Sequence, residues 1–304
     1  MNIINGGKIT WVDIHNPTDK DIEYLKTNYN FHPLILTELT KSTLRPKVDT
    51  YDDHFYMVLH FPIFSQQELT TLPYEFDFII TKDALITAHF TKIDLFDDFF
   101  NTLKNNEPLQ KKYLQQPNPG YLLNHLITIF FNFALRELDH IKINLDKIEN
   151  RIFKDHSKNN LVEQISVVRR DIINFRRIIL PQRTTLESLV DAAAQYFGKE
   201  SAHYFSGLLG RYLLVWNNLE NHKEAAEAIQ ATNESLITTR TNQIIKTLTI
   251  ITTILLPLNM ISQVFFVQLN SPFLESEMSF WIGIIAMTAI AASLLVIFKK
   301  RDWL

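Results

Sequence analysis

The chain has 304 residues, with 30 Lys+Arg against 33 Asp+Glu, a formal charge of -3 and 46% hydrophobic residues. That apolar content can bury a large core, which excludes a disordered chain, and the near-balanced charge supplies no basic field to hold nucleic acid at physiological salt. The absence of Cys excludes disulfides, thiolate metal sites and cysteine nucleophiles, and seven Gly, with none between 211 and 282, leave no Gly-rich phosphate loop.

Residues 1–16 carry no basic-then-apolar segment, so no signal peptide is expected. From Lys8 to Phe90 short β-rich runs alternate with helical segments: Ile9 to Ile14, His54 to Phe61, Phe76 to Thr81 and Ala84 to Phe90. Thr18 reads as a helix N-cap, with Asp19 and Asp21 placed toward the positive end of the dipole. Residues 1–118 are therefore expected to form an α+β head domain. His15, His32, His54, His60 and His89 are scattered without ligand spacing and read as structural.

After about residue 119 the periodicity changes to 3 and 4. Leu138, Ile141, Leu145, Ile148 and Ile152 form one apolar seam, and Ile165, Val168, Ile172, Phe175 and Ile179 form another. A third helix is expected to start near Ser201 and to run without interruption from Arg211 into the apolar C-terminal region. Residues 119–243 thus read as a stalk of long packed helices. Glu234, Asp171 and the Arg169-Arg170 pair could suggest chemistry, but charges on such helices belong more often to solvated faces or intersubunit ion pairs.

No charged residue occurs from 247 to 274 or from 278 to 298. Each stretch can cross a hydrocarbon core of about 30 Å, which needs roughly 20 residues. Two membrane helices are expected, 244–269 and 278–298; the bland alternative is a buried hairpin in a soluble protein. Lys299, Lys300 and Arg301 follow the second span, Arg240 and Lys246 precede the first, and the loop 270–277 carries only the carboxylates Glu275 and Glu277. Both termini should face the cytoplasm, with the loop outside and 299–304 as a basic cytoplasmic tail of a multi-pass protein of the cytoplasmic (inner) membrane.

A 3.5-residue seam on the first span aligns Asn242, Ile245, Thr249, Thr252, Leu256, Asn259 and Gln263, while Leu248, Ile250, Ile251, Leu255 and Leu258 fall on other faces. Amides and hydroxyls sit poorly against lipid tails, so this stripe should face other helices or water. Two readings stand: interhelical hydrogen-bond glue, or the wall of a pathway enclosed by a symmetric ring of subunits. With no carboxylate in the stripe, a conducted cation would meet neutral oxygens, which suits an ion that keeps its water shell, such as magnesium.

These residues resemble the CorA family of divalent-cation transporters over nearly the whole chain. The resemblance rests on the order and spacing of Trp11-Val12-Asp13-Ile14-His15-Asn16-Pro17-Thr18, Phe31-His32-Pro33-Leu34, Arg45-Pro46-Lys47-Val48-Asp49, Leu180-Pro181-Gln182-Arg183 and Lys246-Thr247-Leu248-Thr249 through Leu256-Pro257-Leu258, with the Phe298-Lys299-Lys300-Arg301-Asp302-Trp303-Leu304 ending. It implies a funnel-shaped homopentamer in which a long stalk helix becomes the pore wall and a second helix lies on the lipid side. It also implies divalent metal ions as cargo, without a cofactor or an enzymatic activity. By the resemblance, Asn242 matches the family's cytoplasmic pore-mouth Asn, and Ile245, Leu256 and Asn259 fall at constriction positions.

Two departures stand out. The family's Gly-Met-Asn triad at the external mouth is replaced by Phe266, Val267 and Gln268, with Gln268 or Asn270 as the amide nearest in position. A Phe ring where the family has Gly removes the close backbone approach and can narrow or dewet the mouth. On the stalk, Gly207 and Gly210 stand where many magnesium-gated relatives have carboxylates, which favours a ZntB-like or diverged branch. Two functions are therefore expected: a channel or transporter for Mg, Co, Ni or Zn with a non-standard external filter, or a non-conducting membrane scaffold or regulator that has lost the filter.

Overall fold

In a computed structural model, which describes residues 1–154, 161–266 and 277–301, six strands form one mixed sheet in the order β1-β2-β6-β5-β4-β3. They are β1 (Asn2–Asn5), β2 (Thr10–His15), β3 (Lys47–Thr50), β4 (Phe55–Ser65), β5 (Thr70–Ile80) and β6 (Ala84–His89). Only β2 and β6 pair in parallel, with Trp11 beside Leu85 and Val12 beside Ile86. The expected strands are all present. The two unexpected ones, β1 and β3, are four-residue edge strands carrying Asn, Lys and Asp, and so lack an alternating apolar signal.

Side-chain alternation gives the sheet two apolar faces. Val12, Ile14, Tyr56, Val58, Ile79 and Ile86 pack with Leu25 of α1 (Asp19–Asn28) and with Ile35 and Leu36 of α2 (Pro33–Glu38). On the other face the Trp11 ring meets Phe96 and Phe100 of α3 (Asp94–Asn105), at 5.4 and 4.7 Å. After α4 (Glu107–Leu114), the long α5 (Gly120–Lys154) brings Phe130 onto Phe61 and Phe76, at 4.1 and 4.7 Å. Local chemistry places the helix starts. The Asp21 carboxylate accepts from the Thr18 amide and hydroxyl at 2.9 and 2.6 Å, and His32 Nδ1 accepts from the Leu34 amide ahead of α2.

Both seams expected from the sequence are buried, the first along α5 and the second along α6 (Leu161–Ile179). Single polar groups lock these helices to the β4–β5 hairpin. Asp171 accepts from the Thr71 amide at 2.6 Å, Asn174 Nδ2 donates to Thr70 Oγ1 at 2.8 Å, and Glu137 accepts from the Phe64 amide at 3.1 Å. Gln182, opening α7 (Gln182–Phe197), donates to the His60 carbonyl at 2.5 Å. Asp171 is thus a structural anchor rather than a catalytic group.

The remaining helices are α8 (Lys199–Phe266) and α9 (Glu277–Lys300). Contacts divide the chain into a unit Met1–Gln230 and a unit Ala231–Leu304, with α8 contributing to both. Pro257 sits inside α8, where it removes one helical N–H without ending the helix. The two C-terminal helices are long and apolar enough to cross a membrane, and only 6% of each apolar stretch is buried. A hairpin buried in the core of its own chain is therefore not what these helices form.

Candidate functional site

Burial along α8 in the second unit follows helical spacing. Ile250 is buried, and Ile254, Pro257, Leu258 and Ile261 are half-buried. At about 100° per residue these positions form one covered face. Asn242, Ile245, Thr252, Leu256, Asn259 and Gln263 are exposed, and Thr249 is half-buried. The stripe centres roughly 180° from the covered face. The chain leaves this face open, with Leu256 at 62% and Ile245 at 54% exposure, as it does the flanking Ile244, Leu248 and Met260. Helix α9 has a comparable covered seam, in which Gly283 is buried and Met287, Ile290, Leu294 and Phe298 are half-buried.

The stripe's hydroxyls have a fixed local role. Thr249 Oγ1 donates to the Ile245 carbonyl at 2.8 Å, and Thr252 Oγ1 donates to the carbonyls of Leu248 and Thr249 at 3.0 and 3.1 Å. Of the residues expected at the external mouth, Val267, Gln268, Asn270 and Glu275 lie outside the described residues. Phe266 ends α8 and Glu277 opens α9, their side chains falling outside the description. Gly207 and Gly210 lie on an exposed face of α8, where an added Cβ would meet nothing within 4 Å.

Several buried titratable groups of the unit Met1–Gln230 are held by neighbouring side chains or backbone. Among the described residues no group of three or more His, Asp and Glu is placed to hold a metal ion. Thr87 Oγ1 accepts from the Trp11 indole at 3.1 Å and donates to Asp13 at 2.7 Å. Burial pulls the His89 imidazole down, but Asp13 at 3.4 Å and the Thr91 carbonyl outweigh it and hold its pKa above the ordinary value. His125 shows the reverse: burial, with Lys112 and Arg211 nearby, lowers it from 6.5 to about 4. Asp77, pushed well up by burial and by Glu75, accepts from the Tyr56 hydroxyl at 3.1 Å. A cleft lined by Asp13, His15, Asp94, Asp97 and Asp98 escaped the sequence reading; Lys92 reaches into it, 3.4 Å from Asp94 and 3.8 Å from Asp97.

The sequence profile described as CorA-like Mg2+ transporter protein matches residues 6–300, and the chain belongs to that family. Its members are transporters or channels rather than enzymes, and their divalent cations are cargo rather than cofactors. The cobalt/magnesium transport protein CorA of Thermotoga maritima is 24% identical over 297 residues, spanning 97% of this chain and 83% of the relative. The complete structure of the CorA magnesium transporter from Methanocaldococcus jannaschii superimposes with a TM-score of 0.84 at 20% identity, covering 98% of this chain and 92% of that one. The ZntB cytoplasmic domain from Vibrio parahaemolyticus matches with a TM-score of 0.60 at 14% identity, over 76% of this chain and 88% of that one. The fold is thus that of full-length CorA: an α/β head, a long helix and two C-terminal apolar helices.

Proposed function

We propose that this chain assembles as a homopentamer in the cytoplasmic membrane and conducts hydrated divalent cations along an axis lined by the polar stripe of α8. The observation that carries this reading is the placement of Thr252, Asn259 and Gln263 on the face opposite the one the chain covers itself. Carboxamides exposed at membrane depth need other subunits or water, and a symmetric ring supplies both. Residues 1–118 form the cytoplasmic head, 119–243 the stalk, 244–269 and 278–298 the spans, 270–277 the external loop and 299–304 the cytoplasmic tail. Phe266, Val267, Gln268 and Asn270 form the external mouth in place of the family's triad, with Glu275 and Glu277 drawing cations toward it.

Magnesium and cobalt enter as candidate cargo from the name of the Thermotoga relative, and nickel and zinc are the further divalent candidates. The neutral stripe fits an ion that keeps its inner water shell, because hydroxyl and amide oxygens accept from those waters without replacing them. The test is uptake of magnesium, cobalt, nickel and zinc, each in turn, by tight liposomes carrying the purified protein. Uptake of at least one supports the reading. Silence for all four replaces the conductor with a non-conducting membrane scaffold, the outcome that Phe266 in place of Gly favours.

A further inference from the structure

We infer that Thr249 and Thr252 set the charge sign that the pathway accepts. The inference rests on the pathway reading above and deepens it, because it assigns selectivity to two hydroxyls whose orientation the structure fixes. A hydroxyl has one hydrogen to donate and two lone pairs. Thr249 spends that hydrogen on the Ile245 carbonyl at 2.8 Å, and Thr252 on the Leu248 and Thr249 carbonyls at 3.0 and 3.1 Å. What each presents away from its own backbone is therefore lone pairs alone.

A hydrated cation turns both hydrogens of each shell water outward, whereas each water of a hydrated anion spends one hydrogen on the ion and turns its oxygen outward, where it seeks a donor. A belt that only accepts hydrogen bonds complements the first shell and offers the second no donor. Asn259 and Gln263 cannot make this distinction, because a carboxamide both donates and accepts. The stripe contains no carboxylate to make it by charge, and Glu275 and Glu277, which concentrate cations at the mouth, lie off it. The same back-bonding leaves these hydroxyls no hydrogen to donate to a neighbouring helix, so any contact they make there is by acceptance alone. Thr288 of α9 is bonded in the same way, to the Ile284 carbonyl at 2.7 Å, so the bond alone confers no role; its location on the open stripe does.

The experiment compares magnesium influx and chloride influx into proteoliposomes carrying the wild-type chain, the double variant Thr249→Val with Thr252→Val, and the double variant Thr249→Ser with Thr252→Ser. Valine keeps the shape and removes the oxygen, while serine keeps a hydroxyl that can bond back to the helix. The valine pair should lower the magnesium-to-chloride flux ratio by about tenfold, and the serine pair should restore it to within about twofold, with the oligomer's elution unchanged. An unchanged ratio in the valine pair, alongside loss of flux in Asn259→Leu, overturns the assignment and leaves the pathway standing. A valine pair that dissociates while the serine pair stays assembled shows the hydroxyls joining helices, which also overturns it. No ion movement in the wild-type chain removes the pathway and the inference together.

Discussion

In the unit Met1–Gln230 the chain covers its own apolar surface, and in the C-terminal unit it does not. Trp11, Phe76 and Phe130 are at most 1% exposed, whereas Leu256, Met260 and Ile285 are 62%, 65% and 66% exposed. The residue types are alike, so the contrast lies in the surroundings each unit requires: a closed core for one, and lipid with neighbouring subunits for the other. Polar groups divide in the same way. Asp171, Glu137 and Gln182 each find a backbone partner inside the first unit, on the β4–β5 hairpin. Asn259 and Gln263 instead stand exposed on the open face of an apolar helix.

The largest effect expected from this contrast is on transport. Asn259→Leu should lower divalent flux by about 100-fold or more while the head unfolds at the same denaturant concentration as the wild type, because the change touches one polar ring at membrane depth. Unchanged flux would identify the stripe as packing. Next comes Phe76→Ala, which opens a cavity among Phe61, Phe96 and Phe130. It should cost the head about 3–5 kcal/mol in denaturant unfolding and leave membrane insertion intact.

A smaller effect concerns pH. His125 titrates at about 4 in the folded chain against 6.5 for the free imidazole. Below pH 6.5 the unfolded state takes up a proton that the folded state refuses, so the stability of the unit Met1–Gln230 falls as pH drops and levels off below about 4. His125→Gln should remove on the order of 1 kcal/mol of that decline after allowance for solvent screening, measured as the difference between the two stability curves. The smallest effect sharpens the boundary between the regions. Gly207→Ala and Gly210→Ala should each stabilise α8 by about 0.5–1 kcal/mol, since nothing within the chain lies near either Cβ position. A loss of stability instead would reveal a second copy packed on that face.

Much of this division is legible in the sequence because it is periodic. The seams from Leu138 to Ile152 and from Ile165 to Ile179 repeat every 3 or 4 residues and are buried as that spacing requires. The polar stripe is legible for the same reason, as amides and hydroxyls recurring inside an uncharged stretch. Features that depend on long-range pairing are not legible. The β2–β6 parallel register joins Trp11 to Leu85, and the Asp171–Thr71 lock spans 100 residues, with no local pattern announcing either. The same holds for which side of α8 the chain covers, because that depends on three-dimensional neighbours, whereas the Thr249 and Thr252 hydroxyls bond back within one turn and their direction follows from the helix alone.

The absence of Cys allows the central claim to be tested on a clean background. Single Cys residues placed at Asn259, Thr252, Leu255 and Leu258 in the membrane-embedded protein can be challenged with a charged, membrane-impermeant thiol reagent. Rapid modification at Asn259 and Thr252, with protection at Leu255 and Leu258, is the expected result, since only the stripe should meet water. Equal protection at all four positions, or reaction confined to Leu255 and Leu258, would contradict a water-filled axis lined by α8.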